Sequence, residues 1–123
     1  MRAEHTILVI DDHEPNLYVA TRLLERAGYK VLQGSTGSDA VFLAERASAV
    51  LMDVNLPDMN GVAVCELLKR TSKKPVVLMS AVFVDDLHEG AALQAGADLY
   101  LLSPVSGEQL TAGFDKLLGV SIT

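Results

Sequence analysis

The sequence predicts an α/β fold in which a parallel five-stranded sheet is covered by helices on both faces. Short apolar runs alternate with helical patterns along the whole chain, giving five strand–helix units. The runs are continuously apolar rather than alternating, which is typical of strands buried on both faces. Because crossovers between parallel strands are right-handed, the helices must lie on both sides of the sheet. Residues 1–123 are therefore predicted to form a single domain.

Five short apolar runs predict the strands. Four of them consist almost entirely of large aliphatic residues, whereas the second contains only two and is the weakest. Runs of this length bounded by polar residues favour strands over helices. The predicted strands lie at residues 7–10, 30–32, 50–52, 76–79 and 99–102.

Helical spacing of apolar residues fills the gaps that follow each strand. Pro15 suits the first turn of the first helix, and Gly28 suits its end. The fourth helix, at residues 87–95, has the weakest pattern because Gly90 interrupts it and its apolar face is mostly alanine, with Gly96 suited to its end. The other helices are predicted from Ala20, Leu23, Leu24 and Ala27, from Ala40, Leu43, Ala44 and Ala47, from Val64, Leu67 and Leu68, and from Leu110, Phe114 and Leu117.

Composition excludes several classes of protein. Half of the 123 residues are hydrophobic, which excludes a disordered chain. The formal charge of −6 argues against direct nucleic-acid binding and against an anionic membrane surface, because both need basic patches. Cys65 is the only cysteine, so an internal disulfide is excluded, and no apolar run is long enough to span a bilayer. We therefore expect a cytoplasmic protein that does not bind membranes.

Acidic and hydroxyl side chains follow the predicted strands where each strand ends. Asp11 and Asp12 follow the first strand, Asp53 the third and Ser80 the fourth, and Ser103 follows the fifth. In parallel α/β sheets, ligands bind outside the carboxyl ends of the strands. A small cluster of carboxylates with room for water favours Mg²⁺. The sequence therefore predicts a magnesium site at this edge.

A structural alternative applies to Asp11 and Asp12. An Asp-Asp pair after a strand is often only a turn and a helix cap. That account does not explain why Asp53 arrives at the same edge.

The Ser103–Pro104 bond is predicted to be cis, because tight turns at strand ends often use such a bond.

The ordered motifs resemble those of the receiver domains of two-component response regulators, over essentially the whole chain. The resemblance rests on Asp11-Asp12, the segment at residues 53–61 (DVNLPDMNG), Ser80-Ala81, and the run at residues 95–101 (AGADLYL) ahead of Pro104. It implies a flavodoxin-like three-layer sandwich with strand order 2-1-3-4-5. It also implies a phosphoprotein that acts in phosphorelay signalling.

The resemblance implies a role for each matching position. Asp53 would accept a phosphoryl group from a histidine kinase or a histidine phosphotransfer protein. Asp11, Asp12 and Asp53, together with the backbone carbonyl of Asn55, would bind Mg²⁺. A carboxylate nucleophile and charge neutralisation by a metal are the chemistry that phosphoryl transfer needs. The switch would consist of Ser80, Ala81, Tyr100 and Pro104, with the Ser80 hydroxyl on a phosphoryl oxygen and the Tyr100 ring following it. As a side chain on its own, Tyr100 could equally be a half-buried strand residue.

One position departs from the family pattern. Receiver domains normally carry a lysine immediately before the proline that follows the fifth strand, and this chain has Ser103 there. Serine can offer a hydrogen bond but no positive charge. The ten basic residues are predicted at the amino edge of the sheet or in the far halves of helices, and a five-residue strand spans roughly 16 Å. We therefore expect none of them to replace the lysine easily.

Two functions remain open at this point. The first is a phosphoacceptor signalling domain that depends unusually strongly on Mg²⁺ and switches partner binding, with at most self-phosphorylation and slow autodephosphorylation as activities. The second is a receiver-like interaction module that works without phosphorylation and keeps an acidic metal-binding pocket. An ordinary enzyme is disfavoured, because the chain lacks a Gly-rich phosphate loop and a nucleophile-elbow motif. Whether the protein forms a homodimer stays open.

Overall fold

The computed structural model describes residues 1–80 and 86–121 and contains every predicted strand and helix. Each strand is followed by a helix, as the alternating pattern predicts. The fourth helix, which has the weakest sequence pattern, is also present. The strands are β1 (Thr6–Ile10), β2 (Lys30–Gly34), β3 (Ala49–Asp53), β4 (Val76–Ser80) and β5 (Leu99–Leu102), and the helices are α1 (Glu14–Ala27), α2 (Gly37–Leu43), α3 (Gly61–Thr71), α4 (Asp86–Gln94) and α5 (Gly107–Leu118).

All five strands form one parallel sheet in the order β2-β1-β3-β4-β5, which confirms the predicted topology. The chain changes direction across the sheet between β1 and β3, and this switch point is where parallel α/β sheets bind ligands. Ile10 of β1 is the register partner of Met52 in β3. The carboxyl ends of these two central strands therefore stop side by side.

Successive side chains of each strand point to opposite faces of the sheet, which divides the core into two layers. Ile7 and Val9 of β1 and Leu51 of β3 pack with Leu24 of α1 and Phe114 of α5 on one face. The intervening strand residues pack against α2, α3 and α4 on the other face. Every residue of β3 and β4 is buried, as expected for strands covered on both sides.

The second helix is shorter than its apolar pattern predicts. The pattern continues to Ala47, but the α-helix ends at Leu43 and a 3₁₀ turn follows over Ala44–Arg46. The ammonium group of Lys74 donates hydrogen bonds to the carbonyl oxygens of Ala44 and Glu45. These bonds satisfy carbonyl groups that a helix end leaves without partners. A contact with a distant residue therefore favours the early end of the helix.

Two predicted helix ends and the predicted turn after β5 are confirmed. Gly28 and Gly96 adopt φ angles of 109° and 99°, in the region that glycine occupies without steric cost. The Ser103–Pro104 peptide bond is cis. Within the described residues, no helix has the length and apolar character that crossing a membrane requires.

An ion pair fastens the amino-terminal segment to α5. The guanidinium group of Arg2 donates to both carboxylate oxygens of Asp115, at 2.9 and 2.6 Å, and the Tyr29 hydroxyl donates to one of them at 2.6 Å. The hydrogen bond from Arg2 holds the pKa of Asp115 below its usual value. These contacts lie at the amino edge of the sheet, away from the predicted site.

Candidate functional site

Three carboxylates meet at the carboxyl edge of the sheet. Asp11 and Asp12 follow β1, and Asp53 is the last residue of β3. Each offers a carboxylate oxygen, and these oxygens all lie within 4.8 Å of one another. Asp11 is 1% exposed and Asp53 is 9% exposed. The sheet register therefore brings together the acids that lie 42 positions apart in the sequence.

Local hydrogen bonds hold two of these carboxylates in place. One oxygen of Asp11 accepts a bond from the His13 backbone N–H at 2.9 Å. One oxygen of Asp53 accepts a bond from the Asn55 backbone N–H at 2.8 Å. The second oxygen of Asp11 is buried and has no partner among the described residues. A turn or cap explains only the first oxygen of Asp11, and a buried carboxylate oxygen without a donor is suited to a cation.

The environment of Asp53 opposes its ionisation. Burial raises the pKa of Asp53 to about 6, and the neighbouring charges of Asp11 and Asp12 act in the same direction. The hydrogen bond from Asn55 opposes this increase only in part. Burial also raises the pKa of Asp11. A divalent cation among these oxygens would reverse both effects, because it stabilises the ionised forms.

The connection from β3 to α3 folds closely over the end of β3. The Val54 backbone N–H donates to the Met79 carbonyl, and the Gly61 N–H donates back to the Val54 carbonyl at 2.7 Å. A Cβ atom at Gly61 would collide with the carbonyl oxygen of Asp53, so only glycine fits there. This close approach fixes the loop that carries Asn55 beside Asp53.

Asp58 ties the same loop to the first turn of α2. Its carboxylate accepts hydrogen bonds from the backbone N–H groups of Gly37 and Ser38, at 2.7 and 3.1 Å, and from the Ser38 hydroxyl. These bonds lower the pKa of Asp58. Asp58 belongs to the segment at residues 53–61 that carries the family resemblance, but no sequence pattern predicts its contact with α2. A carboxylate is stabilised by the dipole at a helix amino terminus. The helix that Asp58 contacts, however, begins about 20 positions earlier in the chain, and the periodicity of a segment does not predict contacts over such a separation.

The remaining predicted site residues lie around the three acids. Ser80 ends β4 and is buried, and its carbonyl accepts a hydrogen bond from the Ser103 N–H at 2.8 Å. Tyr100 lies in β5, packs against the core layer of α2, α3 and α4, and has a buried hydroxyl with no partner among the described residues. Ser80 and Tyr100 lie on the face of the sheet that α2, α3 and α4 cover. Asp53 and Ser103 lie on the opposite face, which α1 and α5 cover. Ala81 lies outside the described residues.

None of the ten basic residues, all of which are described, lies at the acidic pocket. Arg2 pairs with Asp115, and Lys69 pairs with Asp98 at 2.9 Å, both toward the amino edge. Arg22, the base on α1 nearest to the pocket in sequence, is exposed in the ninth position of the helix, roughly 12 Å along its axis from the first residue. The described structure therefore confirms that the positive charges are remote from the three acids.

Comparison with known proteins assigns the arrangement to a family. Residues 7–115 match the response regulator receiver domain. The chain belongs to this family. It is 32% identical over 115 residues to the transcriptional regulatory protein AfsQ1 of Streptomyces coelicolor, covering 92% of this chain and 51% of that protein. It is also 32% identical over 114 residues to the alkaline phosphatase synthesis regulator PhoP of Bacillus subtilis, covering 91% and 48%. The receiver domain thus spans about half the length of these relatives.

Solved receiver domains have the same fold. The BeF3-activated receiver domain of DrrB superposes with a TM-score of 0.86 at 30% identity, covering 94% of this chain and 97% of that one. The receiver domain of the sensor histidine kinase PA1611 of Pseudomonas aeruginosa gives a TM-score of 0.84 at 28% identity, covering 94% and 98%. That structure is described with a magnesium ion coordinated in its active-site cleft. The family resemblance and the flavodoxin-like fold predicted from the sequence are therefore confirmed.

Proposed function

We propose that this receiver domain accepts a phosphoryl group on Asp53, in a Mg²⁺-dependent reaction, from a histidine kinase or a histidine phosphotransfer protein. The observation that carries the proposal is the cluster of Asp11, Asp12 and Asp53, whose carboxylate oxygens lie within 4.8 Å of one another at the switch point of the sheet. Phosphoryl transfer needs a positioned nucleophile and neutralised charge more than it needs acid–base groups. This pocket positions the nucleophile, and the Mg²⁺ that its carboxylates would bind would neutralise the charge.

Each residue of the pocket has a defined task in this proposal. A carboxylate oxygen of Asp53 attacks the phosphorus atom, a P–O bond forms, and the P–N bond of the phosphohistidine breaks so that the imidazole leaves. Asp11, Asp12, Asp53 and the backbone carbonyl of Asn55 would hold the metal. When bound, Mg²⁺ balances the negative charge of the carboxylates and of the phosphoryl oxygens. The Ser80 hydroxyl donates to a phosphoryl oxygen, and Tyr100 changes its position in response.

Tyr100 supports the switching part of the proposal. A buried tyrosine hydroxyl normally has a hydrogen-bond partner, and this one has none among the described residues. A rearrangement that gives the hydroxyl a partner or exposes it to water would therefore be favourable. Movement of the Ser80 side chain toward a phosphoryl group is the event that we propose to couple to this rearrangement.

The direct test of the proposal is phosphotransfer from a phosphorylated histidine protein, with and without Mg²⁺, read by intact mass spectrometry. We expect a mass increase of one phosphoryl group that requires Mg²⁺ and that disappears in Asp53→Asn. Asn keeps the size of the side chain but is not a nucleophile. Labelling that survives in Asp53→Asn would contradict the assignment of Asp53.

A second function has one observation in its favour. None of the lysine and arginine side chains, all of which the structure describes, lies in the pocket, so Asp53 has no such side chain to stabilise an attached phosphoryl group. A module that binds metal or a basic partner without being phosphorylated would tolerate this. If Asp53 never becomes labelled in the wild type, with any phosphodonor and saturating Mg²⁺, this interaction function replaces the first.

The contact of Asp58 with α2 gives a test of how the metal site is held. We expect Asp58→Ala to weaken Mg²⁺ binding by about 10-fold, because residues that position metal-binding loops typically contribute this much. We also expect the thermal midpoint to fall by roughly 2–4 °C. Titration calorimetry and thermal unfolding would measure the two effects.

Two variants control this experiment. Asp58→Asn keeps one oxygen that can accept from the Gly37 N–H, so it should bind Mg²⁺ better than Asp58→Ala. Glu66→Ala removes an exposed acid on α3 and should leave both quantities unchanged. Equal Mg²⁺ affinity in Asp58→Ala and the wild type would show that the loop does not depend on this contact.

A further inference from the structure

The connection from β3 to α3 contains a pair of residues that is chemically reactive. Asn60 is followed by Gly61, whereas Asn16 and Asn55, the two other asparagines, are each followed by leucine. The carboxamide carbon of an asparagine can be attacked by the backbone nitrogen of the next residue, and asparagine is accordingly one of the thermolabile residues of proteins. Glycine hinders this attack least, because it has no Cβ atom. The chain therefore has one position at which deamidation is chemically favoured.

Three features of the folded loop keep the reacting groups of Asn60 and Gly61 apart. The side-chain oxygen of Asn60 caps α3 by accepting a hydrogen bond from the Val62 N–H at 2.7 Å. The ψ angle of Asn60 is 130°, and closure of a ring onto its side chain requires rotation to negative angles. The Gly61 N–H donates to the Val54 carbonyl at 2.7 Å. The reaction in the folded protein therefore requires that this connection first open.

The reaction needs no reactant other than water. The Gly61 nitrogen forms a bond to the side-chain carbon of Asn60, the C–N bond of the carboxamide breaks, and ammonia leaves with the proton from the Gly61 nitrogen. Water then opens the cyclic imide at one of its two carbonyl groups. One opening gives aspartate at position 60 and the other gives isoaspartate. Asn60 is exposed, so water reaches the imide once it has formed.

The two products differ in their effect on the loop. Aspartate keeps an oxygen that caps α3, and it caps helices about as well as asparagine does. Isoaspartate carries the main chain through its side chain, which adds one carbon atom to the backbone before Gly61. Gly61 lies so close to Val54 and to the Asp53 carbonyl that a Cβ atom would collide with them. The added atom would therefore displace Gly61 and the loop that it holds.

The same connection carries part of the acidic pocket. Asn55 and Asn60 form an antiparallel bridge across the connection. The Asn55 N–H also donates to the Asp53 carboxylate at 2.8 Å. Opening of the connection would therefore draw Asn55 away from Asp53. If the Asn55 carbonyl binds the metal, as the proposed function holds, a bound metal keeps the connection closed, because a ligand of one form stabilises that form.

We propose that Asn60 is a modification site of this receiver domain, which deamidates when the β3–α3 connection opens and which Mg²⁺ in the acidic pocket protects. The clause on Mg²⁺ rests on the proposed function, whereas the deamidation itself does not. Formation of isoaspartate displaces the loop that carries Asn55, so a domain left without metal gradually loses its capacity to bind metal.

The first arm of the test follows Asn60 by peptide mapping while the full chain is incubated at pH 7.5 without metal. We expect the folded chain to react about 10- to 100-fold more slowly than the chain unfolded in urea, because only the open form reacts. Asn16 and Asn55 should stay intact in the folded chain over the same period. Equal rates in the folded and unfolded chains, or a folded chain that yields no product, would overturn the inference.

A variant with a loosened connection tests the opening step. Asp58→Ala removes the hydrogen bonds from Gly37 and Ser38 that tie the connection to α2. Its deamidation should be about 5-fold faster than that of the wild type, the factor that corresponds to one hydrogen bond of ordinary strength. Glu66→Ala, which removes an exposed acid from α3, should react at the wild-type rate. If Asp58→Ala reacts no faster than Glu66→Ala, opening of the connection does not control the reaction and the inference fails.

The second arm adds Mg²⁺ and separates this inference from the proposed function. At a concentration about 100-fold above its dissociation constant, Mg²⁺ should slow deamidation by about 10- to 100-fold, the upper limit applying if the open form binds no metal. If Mg²⁺ raises the thermal midpoint but leaves the deamidation rate unchanged, the metal site stands and the protection of Asn60 fails. If Mg²⁺ changes neither quantity while Asp58→Ala still reacts faster, the metal site fails and the modification site stands.

The products test the consequence for metal binding. The isoaspartate form, separated by chromatography, should bind Mg²⁺ at least about 10-fold more weakly than the intact chain in titration calorimetry, as loss of a group that positions metal ligands does. Asn60→Asp reproduces the other product and should bind Mg²⁺ as the wild type does, because the cap of α3 is kept. Equal Mg²⁺ affinity in the isoaspartate form and the intact chain would contradict the proposed loss of the site.

Discussion

Mg²⁺ is expected to raise the thermal midpoint of this protein by roughly 5–10 °C at pH 7.5, when its concentration is about 100-fold above the dissociation constant. A ligand that binds only the folded state at that excess stabilises it by about 2.7 kcal/mol. For a domain of this size, each kcal/mol corresponds to a few degrees in the midpoint. The physical source of the effect is the cluster of Asp11, Asp12 and Asp53, whose mutual repulsion the cation relieves.

The size of this shift is expected to depend on pH. In the metal-free protein the pKa of Asp53 is raised to about 6, so the folded state holds a proton more tightly than the unfolded state does. The stability that this proton provides is therefore present at low pH and is lost as the pH rises from about 4 to about 6. Mg²⁺ must displace the same proton. Its stabilising effect should accordingly be small at pH 5 and reach its full value above pH 7.

The variant Asp53→Asn provides the control for this experiment. It removes one of the three carboxylates without changing the size of the side chain, so the metal-free protein should be more stable than the wild type at pH 7.5. Its response to Mg²⁺ should be smaller and should vary less with pH, with Asp11, whose pKa burial also raises, as the source of the variation that remains. A wild-type shift of equal size at pH 5 and pH 7.5 would argue against Mg²⁺ binding at Asp53, and no shift at all would argue against a metal site.

Local pattern predicted the architecture because the strands of this domain are buried on both faces. The continuous apolar runs at β1, β3 and β4 distinguish them from the helices without knowledge of the contacts. Because Asp11 and Asp53 both follow parallel strands, the sequence places them at the same carboxyl edge of the sheet, and the structure confirms that placement. Patterns of this kind succeed when a residue's position in its own element determines where its side chain goes.

Features that depend on distant contacts were not predicted. The early end of α2 involves Lys74, and the position of the β3–α3 loop depends on the bonds from Asp58 to the first turn of α2. Each of these features joins segments 20 or more positions apart, and periodicity within one segment says nothing about such contacts.

Ser103→Lys is expected to label at least about 10-fold faster than the wild type with a small phosphodonor and Mg²⁺. Ser103 lies on the same face of the sheet as Asp53, one strand beyond Met79, so a lysine side chain there can extend toward the carboxylate. A positive group aimed at charge that develops during the reaction contributes strongly in a partly buried site, commonly by 10²–10³ in rate. The gain is expected to be at least about 10-fold rather than the full range, because Mg²⁺ already neutralises part of that charge.

The same substitution should also change the titration of Asp53. An ammonium group near the carboxylate stabilises the ionised form, so the pKa of Asp53 should fall from about 6 toward its ordinary value. Labelling of the variant should then lose less of its rate between pH 7 and pH 5.5 than labelling of the wild type does. Intact mass spectrometry over a pH series measures both the rate and its dependence.

Ser103→Met separates the charge of the lysine from its bulk. Methionine is long and unbranched and would occupy the space beside Val19 without carrying a positive charge. If charge is what the wild-type pocket lacks, Ser103→Met should label no faster than the wild type, and Ser103→Lys should differ from both. Equal rates in the lysine and methionine variants would mean that a bulky side chain at this position is sufficient. Labelling of Ser103→Lys alone, with none in the wild type, would show that the pocket is complete except for one charge and would favour the interaction module as the native function.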